Sequence, residues 1–246
     1  MDISHKTVLI TGGGSGIGLS TAKLLSTKGN KVILVGRTAS TLQAAAAALP
    51  HAVAISCDLT DAAQVQHLVA RVAAEHPELS VLINNAGRAF SYTHAEGAGA
   101  ADKASEEFAT NYFGLLRLTE GLLPLLKAQP AAAIVNVTSI VAYAPAVVAP
   151  TYSDSKAAVH SYTLALRHTL AKDTAIKVFE AMPSLVNTAF SKEIGGEENG
   201  MPASEVAQAL VAGIEQDEWE IHIGQTAGFR AFYLSAPQQA FEMMQG

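Results

Sequence analysis

A tyrosine and a lysine stand four positions apart in the segment YSDSK, as Tyr152 and Lys156. On a helix such residues lie on the same face, so the ammonium of Lys156 would lie near the phenol of Tyr152. A nearby positive charge favours tyrosinate, and we expect it to lower the phenol pKa from its ordinary value of about 10. That would suit a general acid or base near neutral pH, although a solvated pair shows the same spacing.

Further polar residues are expected to reach the same place. Ser139 comes directly after a predicted buried strand, residues 134–138, and the segment NNAG, residues 84–87, closes another strand. Open α/β sheets bind ligands at the carboxyl ends of their strands, so these residues are predicted to face one cleft. Asn111 stands between apolar neighbours in a predicted long helix, residues 103–129, as either a hydrogen-bonded core asparagine or a site residue.

A glycine-rich turn, TGGGSGIG at residues 11–18, joins the first apolar run to a helix pattern. Gly12, Gly16 and Gly18 would allow a tight turn and let the backbone approach a pyrophosphate group closely. The helix that follows presents free N–H groups and the positive end of its dipole. A glycine cluster by itself can be an ordinary turn, but its place between a strand and a helix indicates a nucleotide site.

The ends of the second and third predicted strands bear on which dinucleotide would bind. The second ends at Gly36 and Arg37, without the carboxylate that usually holds the ribose 2′-hydroxyl of NAD. An arginine there accommodates the 2′-phosphate of NADP, unless Arg37 is simply a surface arginine. After the third strand, Asp58 could accept a hydrogen bond from the adenine amino group or cap a helix, a role also open to Thr60 or Asp61.

Short β-rich runs alternate with helical patterns along the chain. The runs are mostly apolar, which is typical of strands covered on both faces. Their regular alternation with helices predicts a parallel sheet with helices on both faces, in one α/β domain spanning residues 1–246. The predicted strands cover residues 7–11, 31–35, 52–57, 81–84, 134–138, 176–181 and 220–223. The predicted helices cover residues 17–28, 40–48, 61–75, 103–129, 154–172 and 203–216.

The composition of the 246-residue chain excludes several classes of protein. Hydrophobic residues make up 49% and charged residues 15%, which excludes intrinsic disorder. With a net charge of −6 and no basic patch, nucleic acid is not an expected partner. No apolar run approaches the roughly 20 residues of a membrane span. The absence of a signal peptide, the single Cys57 and histidines without ligand spacing predict a cytoplasmic protein without a metal.

Three segments depart from the alternating pattern. Residues 88–101 are rich in Gly and Ala and indicate a loop. Residues 188–201, which include SKEIGGEENGM, are either a solvated connection or a mobile lid that closes over the cofactor. The tail, residues 225–246, is amphipathic and aromatic, and could cover either the pocket or a dimer partner.

Taken together, the motifs resemble those of the classical short-chain dehydrogenases/reductases over roughly residues 5–224. The match rests on TGGGSGIG, Asp58, NNAG, Asn111, Ser139 and YSDSK, which follow the order and spacing of that family. Within the family, the chain resembles the bacterial oxidoreductases named for the D-alanine transfer operon of lipoteichoic acid. The resemblance implies a single-domain Rossmann fold with a doubly wound, seven-stranded parallel sheet. It also implies a homodimer or homotetramer assembled through the long helices.

The resemblance further implies the site residues. The expected catalytic tetrad is Asn111, Ser139, Tyr152 and Lys156. The expected NADP-binding residues are Gly12, Ser15, Gly16, Ile17, Gly18, Arg37, Asp58, Leu59, Asn85, Ala86, Gly87, Tyr152, Lys156, Pro183, Val186 and Thr188. One departure is Pro183-Ser184, where the family commonly has Pro-Gly.

The implied reaction is hydride transfer between NADP(H) and a carbonyl group. Tyr152 would donate the proton to the carbonyl oxygen, and Ser139 would hydrogen-bond that oxygen. Lys156 would bind the nicotinamide ribose, and Asn111 would hold a water that links Lys156 to solvent.

The pocket is expected to take a small, neutral and apolar substrate, provided that Arg88 does not point into it. Its candidate lining is Phe90, Tyr92, Ile140, Val141, Tyr143, Leu185 and Phe190. The alternative to an enzyme is an NADP-binding redox sensor that uses the same fold without turnover.

Overall fold

A computed structural model describes residues 1–245; Gly246, the last residue of the predicted tail, lies outside the described part. The strands there are β1 (Thr7–Thr11), β2 (Lys31–Gly36), β3 (Ala52–Ser56), β4 (Leu79–Asn84), β5 (Ala132–Val137), β6 (Ile176–Pro183), β7 (Val186–Asn187), β8 (Met201–Pro202) and β9 (Glu220–Ile223). Seven of them form one parallel sheet in the order β3-β2-β1-β4-β5-β6-β9, and β7 pairs with β8 separately. The predicted doubly wound sheet is thereby confirmed.

The helices of residues 1–245 include all six predicted ones, near their predicted bounds, and three that the sequence patterns did not predict. They are α1 (Gly16–Thr27), α2 (Ala39–Ala47), α3 (Ala62–Glu75), α4 (Ala100–Phe108), α5 (Leu115–Lys127), α6 (Pro150–Asp173), α7 (Gly196–Asn199), α8 (Ala203–Glu215), α9 (Thr226–Ser235) and α10 (Pro237–Met244). The predicted loop at residues 88–101 is irregular backbone as far as the start of α4.

The sheet separates two apolar layers because successive side chains of a strand point to opposite faces. In β1, Val8 and Ile10 pack with residues of α1 and α8 on one face. Leu9, between them, packs with residues of α3 and α5 on the other face. All five residues of β1 are buried, which explains why the strand is apolar throughout rather than alternating.

Two helices differ from the prediction in ways that affect the site. The predicted helix 103–129 is α4 and α5 joined by a π-helical turn, Ala109–Gly114, which contains Asn111. The predicted helix 154–172 begins earlier, at Pro150, whose fixed φ suits the first turn of a helix. Tyr152 therefore lies within the first turn of α6, one helical turn before Lys156.

The segment 188–201 contains more regular structure than either a loop or a lid suggests. A 3₁₀ helix, Ala189–Ile194, is followed by α7, and β7 and β8 pair across the base of the segment. The Ser191 side chain is buried there and donates to the backbone oxygen of Val186. Closure of this segment over a cofactor stays a prediction.

A row of polar side chains crosses the second half of the sheet, where the sequence runs read as apolar strands. Asn84 of β4, Asn136 of β5 and Glu180 of β6 are paired in register, and each is at most 3% exposed. Asn84 Nδ2 donates to Asn136 Oδ1 at 2.9 Å, and Asn136 Nδ2 donates to Thr163 Oγ1 of α6 at 2.9 Å. These bonds satisfy polar groups that would otherwise be costly to bury.

Candidate active site

A cavity of about 660 Å³ opens at the carboxyl ends of β1, β4, β5 and β6. Most of the residues predicted from the sequence meet there, because parallel strands bring their carboxyl ends to one edge of the sheet. The predicted residues that line the cavity are Gly12, Ser15, Gly16, Ile17, Asn85, Ala86, Gly87, Ser139, Tyr152, Lys156, Pro183, Val186 and Thr188. Those that do not line it are Gly18, Arg37, Asp58, Leu59 and Asn111.

The glycine-rich turn has a geometry that other residues could not adopt. Gly12 and Gly16 have φ values of +65° and +50°, in the left-handed region that favours glycine. A Cβ atom on Gly18 would lie 2.3 Å from the backbone oxygen of Gly12, so no side chain fits there. Asn85 holds the turn by donating from Nδ2 to the oxygen of Thr11 at 2.9 Å. This close-packed turn before α1 fits the pyrophosphate of a dinucleotide.

The predicted adenosine contacts lie at the same edge of the sheet but outside the cavity. Arg37 is exposed, and within residues 1–245 its side chain forms no salt bridge, so it is free to meet an anion. Asp61, not Asp58, caps α3, because its side chain accepts from Ala63 N and Gln64 N. Asp58 instead accepts from the backbone and hydroxyl of Thr60.

Leu59, predicted as a cofactor contact, has a buried side chain. Its side chain is 6% exposed and belongs to the apolar layer beneath the sheet. A Cβ atom on Gly114 would lie 2.8 Å from the Leu59 Cβ, so the side chain is tightly enclosed. A contact between Leu59 and a cofactor would therefore have to use the backbone.

Lys156 lies next to Tyr152, but its ammonium group binds the backbone of β5 rather than the phenol. Its Nζ lies 5.6 Å from the centroid of the Tyr152 ring and donates to the backbone oxygen of Val137 at 2.8 Å. The Lys156 side chain is buried, and burial lowers the pKa of its ammonium to about 8, with Glu180 opposing this shift. Lys156 is therefore fixed at the end of β5, where the cavity begins.

The expectation that Lys156 lowers the pKa of Tyr152 is wrong for this arrangement. Burial raises the pKa of the Tyr152 phenol above its ordinary value, and a hydrogen bond with Ser139 only partly opposes that effect. Spacing along a helix brings two side chains to one face, but it does not determine how much water they keep. Proton donation from a neutral Tyr152 is compatible with the raised pKa.

Asn111 forms a closed set of hydrogen bonds within the π-helical turn. Its Oδ1 accepts from Arg88 N at 2.7 Å, and its Nδ2 donates to Arg88 O and to Ser155 Oγ, both at 2.9 Å. Ser155 in turn donates to the backbone oxygen of Tyr152 at 2.7 Å. The Asn111 side chain thus behaves as a hydrogen-bonded core asparagine that ties the backbone of Arg88 to α6. Its predicted role in holding a water stays a prediction.

Fewer of the predicted apolar and aromatic residues line the cavity than the sequence indicated. Ile140, Val141, Leu185 and Phe190 line it, whereas Phe90, Tyr92 and Tyr143 do not. The Tyr92 hydroxyl is bonded to Thr151 Oγ1 at 2.8 Å, and the Tyr143 hydroxyl to His222 Nε2 at 3.0 Å.

Arg88, which would have brought a positive charge into the pocket, lies outside it. Its NH2 group pairs with Glu106 at 2.5 Å, and its guanidinium covers the ring of Phe90. Among the described residues that line the cavity, Lys156 is the one with a positively charged side chain.

Ser184 does not disturb the backbone that follows β6. Its φ is not in the left-handed region, so the position does not require glycine. Its backbone N–H donates to the oxygen of Ile223 at 3.1 Å, which continues the pairing of β6 with β9. The departure from Pro-Gly is therefore compatible with the local fold.

The C-terminal helices cover one side of the cavity. Met244 of α10 lines it, and Gln245 binds the segment that follows Ser139. Gln245 Oε1 accepts from Val147 N at 2.9 Å, and Nε2 donates to Pro145 O at 3.1 Å. The tail thus lies beside the pocket, and its role in a dimer stays a prediction.

Sequence reasoning missed two buried carboxylates and a partly buried histidine near the cavity. Glu180 and Glu107 are both 0% exposed, and His160 lies 3.0 Å from Glu180. Glu107 accepts from Phe90 N at 2.8 Å, and burial raises the pKa of its carboxyl. The spacing of His160, one turn after Lys156, is a signal that the sequence did contain.

Within residues 1–245 there is no cluster of metal-ligating side chains, and no helix is long and apolar enough to cross a membrane.

Comparisons with known proteins agree on one family. Residues 6–199 match the family described as short chain dehydrogenase. A Bacillus subtilis (strain 168) protein named uncharacterized oxidoreductase DltE is 35% identical, over 99% of this chain and 98% of its own. A short chain dehydrogenase from Burkholderia cenocepacia J2315, solved in complex with NADP, has a TM-score of 0.85 and 27% identity over 99% of this chain and 98% of that chain. A Burkholderia phymatum short chain dehydrogenase/reductase, solved with NAD, has a TM-score of 0.87 and 21% identity over 100% of this chain and 97% of that chain.

Proposed function

The chain belongs to the short-chain dehydrogenase family, and from that premise we propose that it is an NADP(H)-dependent oxidoreductase that interconverts a carbonyl and an alcohol on a small apolar substrate. The observation that carries this proposal is that Ser139, Tyr152 and Lys156 line the same cavity as the glycine-rich turn. A site that only bound the nucleotide would have no need of a proton donor beside it.

The proposed chemistry needs one hydride and one proton for each carbonyl reduced. NADPH, when bound, supplies the hydride to the carbonyl carbon. Tyr152 gives its hydroxyl proton to the carbonyl oxygen, and Ser139 donates a hydrogen bond to the same oxygen as negative charge develops on it. Lys156 keeps a positive charge beside the tyrosinate that remains and holds the ribose hydroxyls. Oxidation of the alcohol uses the same groups in reverse.

The proposed preference for NADP rests on Arg37. Its exposed guanidinium can form charge-assisted, paired hydrogen bonds with a 2′-phosphate. Gly36, just before it, offers no carboxylate to bind a 2′-hydroxyl. Family membership alone leaves the cofactor open, since similar proteins have been solved with NADP and with NAD.

The proposed substrate is a neutral, apolar carbonyl compound. The cavity beyond Ser139 is walled mainly by aliphatic and aromatic side chains, among them Ile140, Val141, Leu185, Phe190, Ile194 and Met244. Lys156 is held at the Val137 carbonyl, and Arg88 is paired with Glu106, so a substrate carboxylate would find no cation placed for it.

The test is NADPH consumption with a panel of aliphatic ketones, aryl ketones and 2-keto acids, with NADH in parallel. We expect turnover with neutral ketones, little turnover with keto acids, and higher kcat/KM with NADPH than with NADH. NADPH binding without turnover on the whole panel and in the alcohol direction would favour the redox sensor instead.

We further propose that residues 188–201 close over the bound cofactor. Thr188 lies next to the glycine-rich turn: a Cβ atom added to Gly16 would be 3.2 Å from Cγ2 of Thr188. The Phe190 ring lies 5.7 Å from that of Tyr152 and is 48% exposed. NADPH should therefore slow amide hydrogen exchange in this segment; equal exchange with and without NADPH would contradict closure.

We also propose that the chain forms a homodimer or homotetramer through α5 and α6. Phe113, just before α5, is 48% exposed, and Leu164 on α6 is 40% exposed, which leaves large apolar groups on that side. Sedimentation at micromolar concentration should show a dimer or tetramer, and a monomer would contradict the proposal.

A further inference from the structure

Glu180 is a fully buried carboxylate on the face of β6 that α6 covers. It is 0% exposed, and its Oε1 accepts a hydrogen bond from Thr138 Oγ1 at 2.6 Å. The Nδ1 atom of His160 lies 3.0 Å from Oε1 and 2.9 Å from Oε2. A carboxylate this deep has lost its contact with water, and these neighbours compensate for that loss.

The same short stretch of β5 and α6 also holds Lys156. Lys156 and His160 are one helical turn apart, so both reach the sheet from the same face of α6. Lys156 Nζ donates to the oxygen of Val137, and the next residue, Thr138, donates to Glu180. The ammonium and the carboxylate are thus anchored to neighbouring residues of β5 without forming a salt bridge to each other.

The other ionisable groups around Glu180 come from α6, β9, α9 and the segment after Ser139. Arg167 Nε is committed to the backbone oxygen of Val178 at 2.8 Å. Glu220 of β9, next to Glu180 in register, faces Arg230 at 3.5 Å and His222 at 3.8 Å. The Tyr143 hydroxyl is bonded to His222. Glu220 and Tyr143 thus have partners of their own, while the charge of Glu180 opposes the effect of burial on the pKa of Lys156.

We propose that Glu180, held in place by Thr138 and His160, is a positioning residue that keeps Lys156 in its charged form inside the buried site. The catalytic importance of that charge rests on the proposed function, but the charge itself can be measured without turnover.

The energetics support this assignment. Burial removes water from the Lys156 ammonium and lowers its pKa to about 8, while the charge of Glu180 raises it again. Between buried groups such a field is weakly screened, so it acts without direct contact. At His160 the hydrogen bond with Glu180 is the main cause that raises the pKa, with the charge of Glu180 adding to it and burial opposing it. Without Glu180, Lys156 would lose its proton at a lower pH.

The experiment follows the titration of Lys156 by NMR in the full chain with isotope-labelled lysine, its signal assigned with Lys156→Met. In Glu180→Gln, which keeps the shape of the side chain and removes its charge, we expect the midpoint to fall by about one pH unit. The matched control is Glu220→Gln, the same substitution one strand away, which should leave the midpoint unchanged. An unchanged midpoint in Glu180→Gln, or an equal fall in both variants, would overturn the proposal.

His160→Gln provides a second variant in case Glu180→Gln does not fold. It removes one of the two groups that hold Glu180 in place, so the Lys156 midpoint should fall, in the same direction as in Glu180→Gln. A rise or no change would count against the proposal. If an active substrate is found, the alkaline loss of kcat/KM should move in the same directions. A shifted titration in a protein without ketone reduction would reject the proposed function and leave the role of Glu180 intact.

Discussion

The two halves of the sheet differ in where they keep their functional groups. Around β1, β2 and β3 both faces are apolar, and the predicted adenosine contacts, the exposed Arg37 and the half-buried Asp58, lie in loops beyond the strand ends. Around β4, β5 and β6 the polar row of Asn84, Asn136 and Glu180 crosses the interior. Ser139 and Lys156 are themselves buried there.

This difference implies two ways of building function on one sheet. In the first half the fold requires only glycines and apolar strands, so an exposed residue such as Arg37 can change without disturbing the core. In the second half buried polar groups support both the packing and the charge of the site. Substitutions there are expected to affect stability and activity together.

The largest effect is expected from Tyr152→Phe. Loss of the proton donor should lower kcat for ketone reduction by about 10² to 10⁴-fold, while the NADPH dissociation constant changes little. Single-turnover kinetics and fluorescence titration measure the two quantities. Tyr143→Phe removes the same hydroxyl from a ring outside the cavity and serves as the control. Undiminished turnover in Tyr152→Phe would reject Tyr152 as the acid.

A smaller effect is expected from Arg37→Ala, at the exposed end of β2. Loss of its charge-assisted hydrogen bonds should weaken NADPH binding by about 10- to 100-fold and leave NADH binding nearly unchanged, without loss of stability. Arg71→Ala, which removes an exposed arginine of α3, is the control. Equal binding of NADH and NADPH by the wild type would show that Arg37 points to solvent.

The complementary variant Gly36→Asp should raise the use of NADH. The atom nearest to a Cβ at Gly36 would be Leu42 Cδ2, at an ordinary 3.5 Å, so a side chain can begin there without a clash. Its carboxylate should bond the 2′-hydroxyl of NADH and repel the 2′-phosphate of NADPH. Steady-state kinetics with both cofactors measure the change, and an unaltered ratio of kcat/KM for NADH to that for NADPH would place the ribose elsewhere.

The smallest effects concern the free energy of unfolding. Asn136→Ala should lower it by about 2 kcal/mol, because the amide of Asn84 and the hydroxyl of Thr163 each lose a buried partner. Ile33→Val, at an equally buried position of β2, should lower it by only about 1 kcal/mol. Urea unfolding at one fixed protein concentration compares them. Equal losses would mean that the polar row contributes no more than apolar packing.

Local patterns predicted the fold and the residues at its strand ends well. Apolar runs bounded by turns located all seven strands of the main sheet, and the glycine spacing identified the turn whose positive φ values require glycine. Helix bounds were less certain. Pro150 extends α6 toward its N-terminus, and the π-helical turn around Asn111 divides a helix that reads as continuous.

Long-range contacts could not be predicted in the same way. The bond between Tyr143 and His222 joins residues 79 positions apart, and it removes from the pocket an aromatic ring that the sequence assigned to it. Gln245 reaches Val147 across 98 positions. No spacing rule relates such pairs, because they meet only after the sheet has formed.

The sequence by itself determined the parallel sheet, the glycine turn, and the meeting of Ser139, Tyr152 and Lys156 at one edge, because these depend on periodicity and turn chemistry along the chain. Only the tertiary structure decided how those groups ionise. Burial raises the pKa of Tyr152 and lowers that of Lys156. The charge of Glu180 acts on this lysine because β6 pairs with β5. Desolvation and charge act through space, so they depend on which distant elements cover a residue.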